Sequence, residues 1–318
     1  MATSRARLLG PTVQSVLVTL LLVVAVAAPT VPADPAGAST SASAPLTSAR
    51  AAGAAGAAGA DGLRGAGRRD PLAWAQSRPP AAEWRAVEQA LAAAGGTGGA
   101  LHVVHVSTGE AVGLVTAARA RGVDATLETC PHYLALDERD LARIGPLAKC
   151  APPLRAPEQR EALWTHLLEG RIDLVASDHS PCLLAEKTCG AADIWAAWGG
   201  ISGLQSTLPV LLTEGVHRRG LDLRLLARLA ARRPAERFGL AGKGDLAPGS
   251  DADFVLVDPD AAFVLRAEDL QYRNRHSVYV GRAFRGRVRG TWLRGTCVFD
   301  GTRTLTGGEA GRLLGGGR

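Results

Sequence analysis

Ile172-Asp-Leu-Val-Ala-Ser-Asp-His179 runs straight into Ser180-Pro181-Cys182. Counted by twos, Ile172, Leu174, Ala176 and Asp178 share one face, so an apolar wall ends in a carboxylate. In a parallel α/β barrel the C-terminal strand ends carry the chemistry, which makes Asp178 the first candidate catalytic residue. An Asp at a strand end also caps turns, and the stretch alone leaves both readings open.

A second run, Leu101-His-Val-Val-His-Val-Ser107, has the same character. Strand side chains alternate, so His102 and His105 point opposite ways and do not share a metal. His105 lies at the C-terminal end, before Ser107-Thr108-Gly109 opens a helical stretch over 109–121, and this is a ligand's position. His102, earlier and on the other face, reads as a packed or solvent-facing histidine.

Three further strings accompany these runs: Glu128-Thr-Cys-Pro-His-Tyr133, Lys149-Cys-Ala-Pro-Pro-Leu-Arg155 and Ala197-Trp-Gly-Gly-Ile-Ser-Gly-Leu-Gln205. In this order and spacing the five motifs resemble the cyclic amidohydrolases, namely dihydroorotases, hydantoinases and allantoinases. Ser177-Asp-His-Ser-Pro-Cys182 and the Ala197–Gln205 string are most similar to allantoinases. The resemblance runs from about Asp70 to about Asp300. It implies a (β/α)8 barrel with a small β-sandwich, and a site of two divalent metals, usually zinc. An His-x-His pair, a carbamylated lysine, two further histidines and an aspartate hold those metals. His105 matches the last histidine and Asp178 the aspartate. The other four positions belong upstream, where residues 1–100 contain neither histidine nor lysine. The chain therefore resembles the C-terminal half of an allantoinase.

The resemblance implies hydrolysis of allantoin to allantoate in purine breakdown, a small cyclic ureide as partner, homo-oligomers and a cytoplasmic location. A dihydropyrimidinase or hydantoinase, or a dihydroorotase-like cyclic amidase, is the alternative. A third reading is a non-catalytic exported or interaction fragment.

Composition agrees with a partial fold. Residues 1–73 of the 318 contain no aromatic residue, and Ala51-Ala-Gly-Ala-Ala-Gly-Ala-Ala-Gly59 builds no core. The remaining 245 residues are too few for a complete barrel of about 250 residues plus a sandwich. The expected fold is thus α/β: the last strands of an amidohydrolase-type TIM barrel with β-sandwich remnants, after a disordered N-terminus. The expected domains are 1–70 (signal-like run and Ala/Gly-rich segment), 71–240 (barrel part) and 241–318 (β-strand region and tail). Arg5 and Arg7 precede the apolar run Val16–Ala28, and Ala25-Val26-Ala27 within it fits a small-x-small cleavage pattern, which together outline a secretory signal. The palette of residues 1–70 also fits coding DNA read in the wrong frame. The net charge of +6 comes with no basic stripe among aromatics, so no nucleic-acid surface is expected. Cys130, Cys150 and Cys182 sit inside the motifs and read as buried thiols.

Local signals place the motifs. A helix from Pro79 (Trp84, Val87, Leu91) is expected to end at Gly95-Gly96, and strands are expected at 101–106, 125–128 and from 172. Pro157 opens a helix burying Leu163, Trp164, Leu167 and Leu168 before Gly170. A helix from Asp222 to Gly239, with Pro234 as an irregularity, leads to strands at 251–257 and Trp292–Phe299.

Opening a cyclic amide needs a nucleophile at neutral pH and a proton for the leaving nitrogen. A metal supplies the first by lowering the pKa of bound water to about 7. Asp178 suits the second role, as ligand and general acid/base, and His105 suits a ligand. Backbone groups at Ala151, Gly199 and Gly200 are the candidates for holding the ureide edges. His132 and His179 read as supporting or packed histidines. One His and one Asp do not complete a zinc site, which takes three or four protein ligands, so the chain alone is expected to hold no tight zinc.

Overall fold

A computed structural model describes residues 16–18, 59–305 and 314. Most of the signal-like run, and most of the segment read as mistranslated or disordered, lies outside them.

Three short strands, β2 (Leu101–Val103), β3 (Ala125–Thr129) and β4 (Leu174–Val175), form a parallel sheet in that order. Leu101 pairs with Ala125 and Thr129 with Val175. Parallel neighbours require crossovers, and helices supply them. Before β2 comes α3 (Pro80–Thr97), and α4 (Gly109–Ala120) links β2 to β3. Helices α5 (Pro131–Ala135), α6 (Glu138–Ile144) and α7 (Pro157–Leu168) link β3 to β4. The apolar faces of α4 (Ala111, Val112, Val115) and α7 (Leu163, Trp164, Leu167) meet in one core with Leu127 of β3.

An antiparallel sheet follows, ordered β1 (Val16–Val18), β5 (Phe254–Val264), β6 (Ala283–Leu293) and β7 (Thr296–Phe299). Val255, Val257 and Phe284 join the same core as the parallel sheet. The contact runs through a π-helical segment, Leu211–His217, that continues α9 (Thr207–Val210). Gly286 (φ 107°) lies so close to it that a Cβ there would stand 2.6 Å from Leu212 Cδ1.

Several sequence expectations need correction. Helix α3 continues through Gly95-Gly96 and closes at Gly98, whose φ of 67° is the left-handed cap that glycine favours. The strand expected over 101–106 stops at Val103, because the chain turns at His105. Leu168 is exposed, since it falls off the buried stripe of α7. The helix from Asp222 is interrupted: α10 (Leu223–Ala227), capped by the Asp222 side chain, passes through a π-helical segment, Arg228–Arg232, into α11 (Arg233–Arg237). Trp292–Phe299 is a hairpin, turning at Arg294 (φ 48°) and Gly295 (φ 79°), two successive positive φ values that match the twist of the flanking strands. Residues 59–65 form a helix (α1), and Ala60 packs with Ala73, Ile194 and Trp195.

Candidate active site

Each strand of the parallel sheet delivers a functional group just past its C-terminal end. After β2 comes His105, after β3 come Cys130 and His132, and after β4 comes Asp178. Both His105 (φ 43°) and Asp178 (φ 42°) hold left-handed backbone, which non-glycine residues rarely adopt. Such conformations cost about 1–3 kcal/mol each and persist where the surroundings over-determine them. Strand alternation thus ends before either residue, so the face argument from spacing stops short of both.

The ligand atoms of Cys130, His132 and Asp178 all lie within 4.8 Å of one another. His132 is buried, its ring packs on Tyr133 at 4.2 Å, and its Nε2 has no hydrogen-bond partner. Burial, with His105 adding to it, drives the His132 pKa down to about 3, so the ring is neutral. Burial raises the Asp178 carboxyl above its ordinary range; nearby His105 opposes the shift and Glu128 adds to it. Burial pushes the Cys130 thiol well up, with Asp178 and Glu128 contributing. Nitrogen, sulfur and oxygen donors meeting beside an orphaned imidazole nitrogen fit a divalent metal of borderline softness.

Hydrogen bonds from neighbouring elements fix these turns. Glu83 of α3 accepts from the Ser107 amide (3.1 Å), Thr108 Oγ1 (2.8 Å), Ser107 Oγ and Arg155 Nη2 (3.4 Å). The carboxylate thereby clamps the chain two residues beyond His105. On the β4 side, Ala176 N donates to Thr129 O (3.0 Å) and Ser180 N to Ile201 O (3.0 Å). His179 Nδ1 accepts from the amides of Gly203 (3.2 Å) and Leu204 (3.3 Å), which leaves any ring proton on Nε2. Burial lowers the His179 pKa, and its ring is tied to the 199–205 loop through the Gly203 and Leu204 amides.

Two buried lysines hold the segment leading into that loop, residues 194–200, through main-chain carbonyls. Lys149 Nζ donates to the carbonyls of Ile194 (2.8 Å), Trp195 (3.3 Å) and Ala197 (2.6 Å). Lys187 Nζ donates to those of Lys149 (3.0 Å), Trp198 (3.0 Å) and Gly200. Burial lowers both ammonium pKa values to about 8.

The sequence candidates divide accordingly. Ala151 and Gly199 are exposed, so their backbone can meet a ligand. Gly200 has a different role from the one its sequence suggests. Its N–H donates to Lys149 O (2.9 Å), its carbonyl takes Lys187, and a Cβ there would lie 2.5 Å from Ser180 Cβ. His102 is packed, with Nδ1 2.7 Å from Thr126 Oγ1 and Nε2 3.1 Å from Glu128 Oε2. His132 joins Cys130 and Asp178 in one cluster, while His105 lies outside it. Cys130 is the candidate donor that sequence reasoning missed. The available signal was its place at the end of β3, between the strand ends that carry His105 and Asp178.

Residues 81–298 match the amidohydrolase family, and the chain belongs to that family, whose members generally bind metal ions. The allantoinase of Rubrobacter xylanophilus is 55% identical over 238 residues, which cover 75% of this chain and 52% of that protein. The allantoinase of Deinococcus radiodurans is 48% identical over 251 residues, 79% of this chain and 55% of its own length. Among solved structures, the L-hydantoinase (dihydropyrimidinase) of Arthrobacter aurescens superposes with a TM-score of 0.78 at 34% identity, covering 80% of this chain and 56% of that one. The chain spans about half the length of the relatives it matches. Among the described residues no helix is long and apolar enough to cross a membrane.

Proposed function

We propose that the chain is the C-terminal part of an allantoinase-like hydrolase, which opens the hydantoin ring of allantoin to give allantoate. The carrying observation is the 55% identity to an allantoinase, against 34% to the hydantoinase structure. In this reading β2, β3 and β4 are the sixth to eighth strands of a (β/α)8 barrel, and β5–β7 belong to the accompanying sandwich. His105 and Asp178 are this chain's share of a zinc site.

A bound zinc ion would supply water activated near neutral pH. The protein's own steps fall to Asp178, whose half-buried carboxylate takes the proton of the attacking water and passes it to the ring nitrogen as the amide bond breaks. The exposed backbone at Ala151 and Gly199 is where the flat ureide edges would be met. The reaction belongs in the cytoplasm, and five free thiols, three of them buried, fit a reducing compartment.

The test is turnover. With zinc, and with the N-terminal half of the Rubrobacter relative supplied as a separate polypeptide, the chain should hydrolyse allantoin. It should do so in preference to unsubstituted hydantoin and dihydrouracil. Alone it should stay at background, because residues 1–100 offer no histidine or lysine for the remaining ligand positions. Asp178→Asn should abolish the complemented activity and His217→Ala should spare it. Turnover that survives Asp178→Asn removes that residue from the mechanism, and a preference for dihydrouracil reassigns the chain to the dihydropyrimidinases.

A further inference from the structure

Cys130, His132 and Asp178 present one sulfur, one nitrogen and one oxygen donor within 4.8 Å of one another. Neither Cys130 nor His132 belongs to the ligand set that the family resemblance assigns. Both are nonetheless buried, Cys130 at 0% and His132 at 1% exposure. The unpartnered Nε2 of His132 is the second, independent sign of a missing ligand. A buried polar atom without a partner costs about 1–3 kcal/mol, and backbone and side chains around it satisfy most of their own groups instead. We propose that this trio is a single-ion metal site of the chain itself, taking zinc or a similar borderline-soft divalent cation; it shares Asp178 with the two-metal arrangement and draws Cys130 and His132 from outside it.

The charges favour it. A thiolate, a carboxylate and a neutral imidazole around a divalent cation sum to zero, so a neutral unit replaces isolated polar groups in a buried place. Three protein ligands leave a fourth position, the arrangement of reactive rather than purely structural zinc. The three donors also lie on two adjacent strand ends, where Ala176 N bonded to Thr129 O holds the two segments together. A cysteine nucleophile served by His132 is the competing use of these groups. It needs a thiol open to a substrate, and Cys130 is sealed.

Cobalt(II) is the probe, added to the metal-free full chain, because a thiolate ligand gives a sulfur-to-cobalt charge-transfer band. The wild-type chain should bind one equivalent with that band. Cys130→Ser should lose the band, and His132→Ala should weaken binding at least tenfold, while His105→Ala leaves both unchanged. Zinc should also raise the melting temperature of the wild-type chain, and less so that of Cys130→Ala, which covers the case in which the serine variant fails to fold. A band that persists without Cys130, no band at saturating cobalt, or binding lost only in His105→Ala each overturns the proposal. Failure here is separable from failure of the allantoinase reading, because His105→Ala is expected to abolish complemented turnover while leaving the cobalt band intact.

Discussion

Replacing Glu83 by Gln tests whether the turn carrying His105 is held by a buried carboxylate. Glu83 and Arg155 are 10% and 7% exposed in their side chains, so water does not screen their contact. Four donors converge on the two carboxylate oxygens: the Ser107 amide, Ser107 Oγ, Thr108 Oγ1 and Arg155 Nη2. A Gln side chain offers one acceptor oxygen, and its NH2 then faces donors. Hydrogen bonds to a charged partner contribute about 1.5–3 kcal/mol each, and breaking a buried ion pair from one side costs about 3–5 kcal/mol. Arg155 keeps Ser107 Oγ and the Arg78 carbonyl, which argues for the lower end. The expected loss is about 3 kcal/mol in guanidinium unfolding followed by tryptophan fluorescence. Glu88→Gln, an exposed change on the same helix, should stay within about 0.5 kcal/mol. Hydrogen exchange at the Ser107 amide should accelerate in Glu83→Gln, since the amide loses its acceptor. A loss under about 1 kcal/mol, with Ser107 exchange unchanged, would refute the clamp.

Lys187→Met probes the carbonyl-held lysines through pH. Lys187 releases its proton near pH 8 when folded and near 10.5 when unfolded, so between those values the unfolded chain holds the extra proton. Wild-type stability relative to Lys187→Met should therefore rise from pH 8 to 10.5, by at most about 3 kcal/mol, and be flat below pH 8. Taking the difference between the two proteins cancels the Cys130 thiol, whose raised pKa acts with the opposite sign, while Cys150 and Lys149 feel the Lys187 charge and contribute to the difference. Asp173→Asn should cost about 3 kcal/mol by urea unfolding, because the buried carboxylate joins Arg119, Arg233 (2.8 Å) and the Leu127 amide (2.9 Å). Gly286→Ala should lower stability by about 3 kcal/mol in the same assay, since it adds a Cβ 2.6 Å from Leu212 at a φ of 107°.

The parts of this molecule legible in the sequence are those set by local chemistry. Pro157 starts α7, Trp164 marks its buried face, and Gly170 follows its end with a φ of 72°. Alternation through Leu127 and Thr129 marks β3. What stayed hidden depends on tertiary contact. Gly95-Gly96 reads as a stop, yet α3 runs on because Gly95 packs beside Val123, and Gly98 supplies the cap. Arg294-Gly295 carries a weak turn signal, so two strands read as one. The left-handed backbone at His105 and Asp178 carries only a weak sequence signal, since Asp and His adopt it more often than other non-glycine residues but still rarely, and the clamp through Glu83 joins residues 24 positions apart. His132 looks like packing until β3 and β4 are set side by side.

The brevity of β4 has a bearing on how such a chain tolerates changes of length. With only Leu174 and Val175 in the ladder, Asp178 keeps its place through bonds from Ala176 and Ser180 rather than through a long register. An extra residue between α7 and β4, around Glu169–Arg171, lies ahead of those anchors and leaves the order of side chains beyond them intact. One extra residue between Val175 and Asp178 falls within the stretch held by the Ala176 and Ser180 bonds and shifts Asp178 out of the turn they fix. An insertion on the helix side of the strand should therefore leave the Asp178 turn intact, and one on its carboxyl side should displace it.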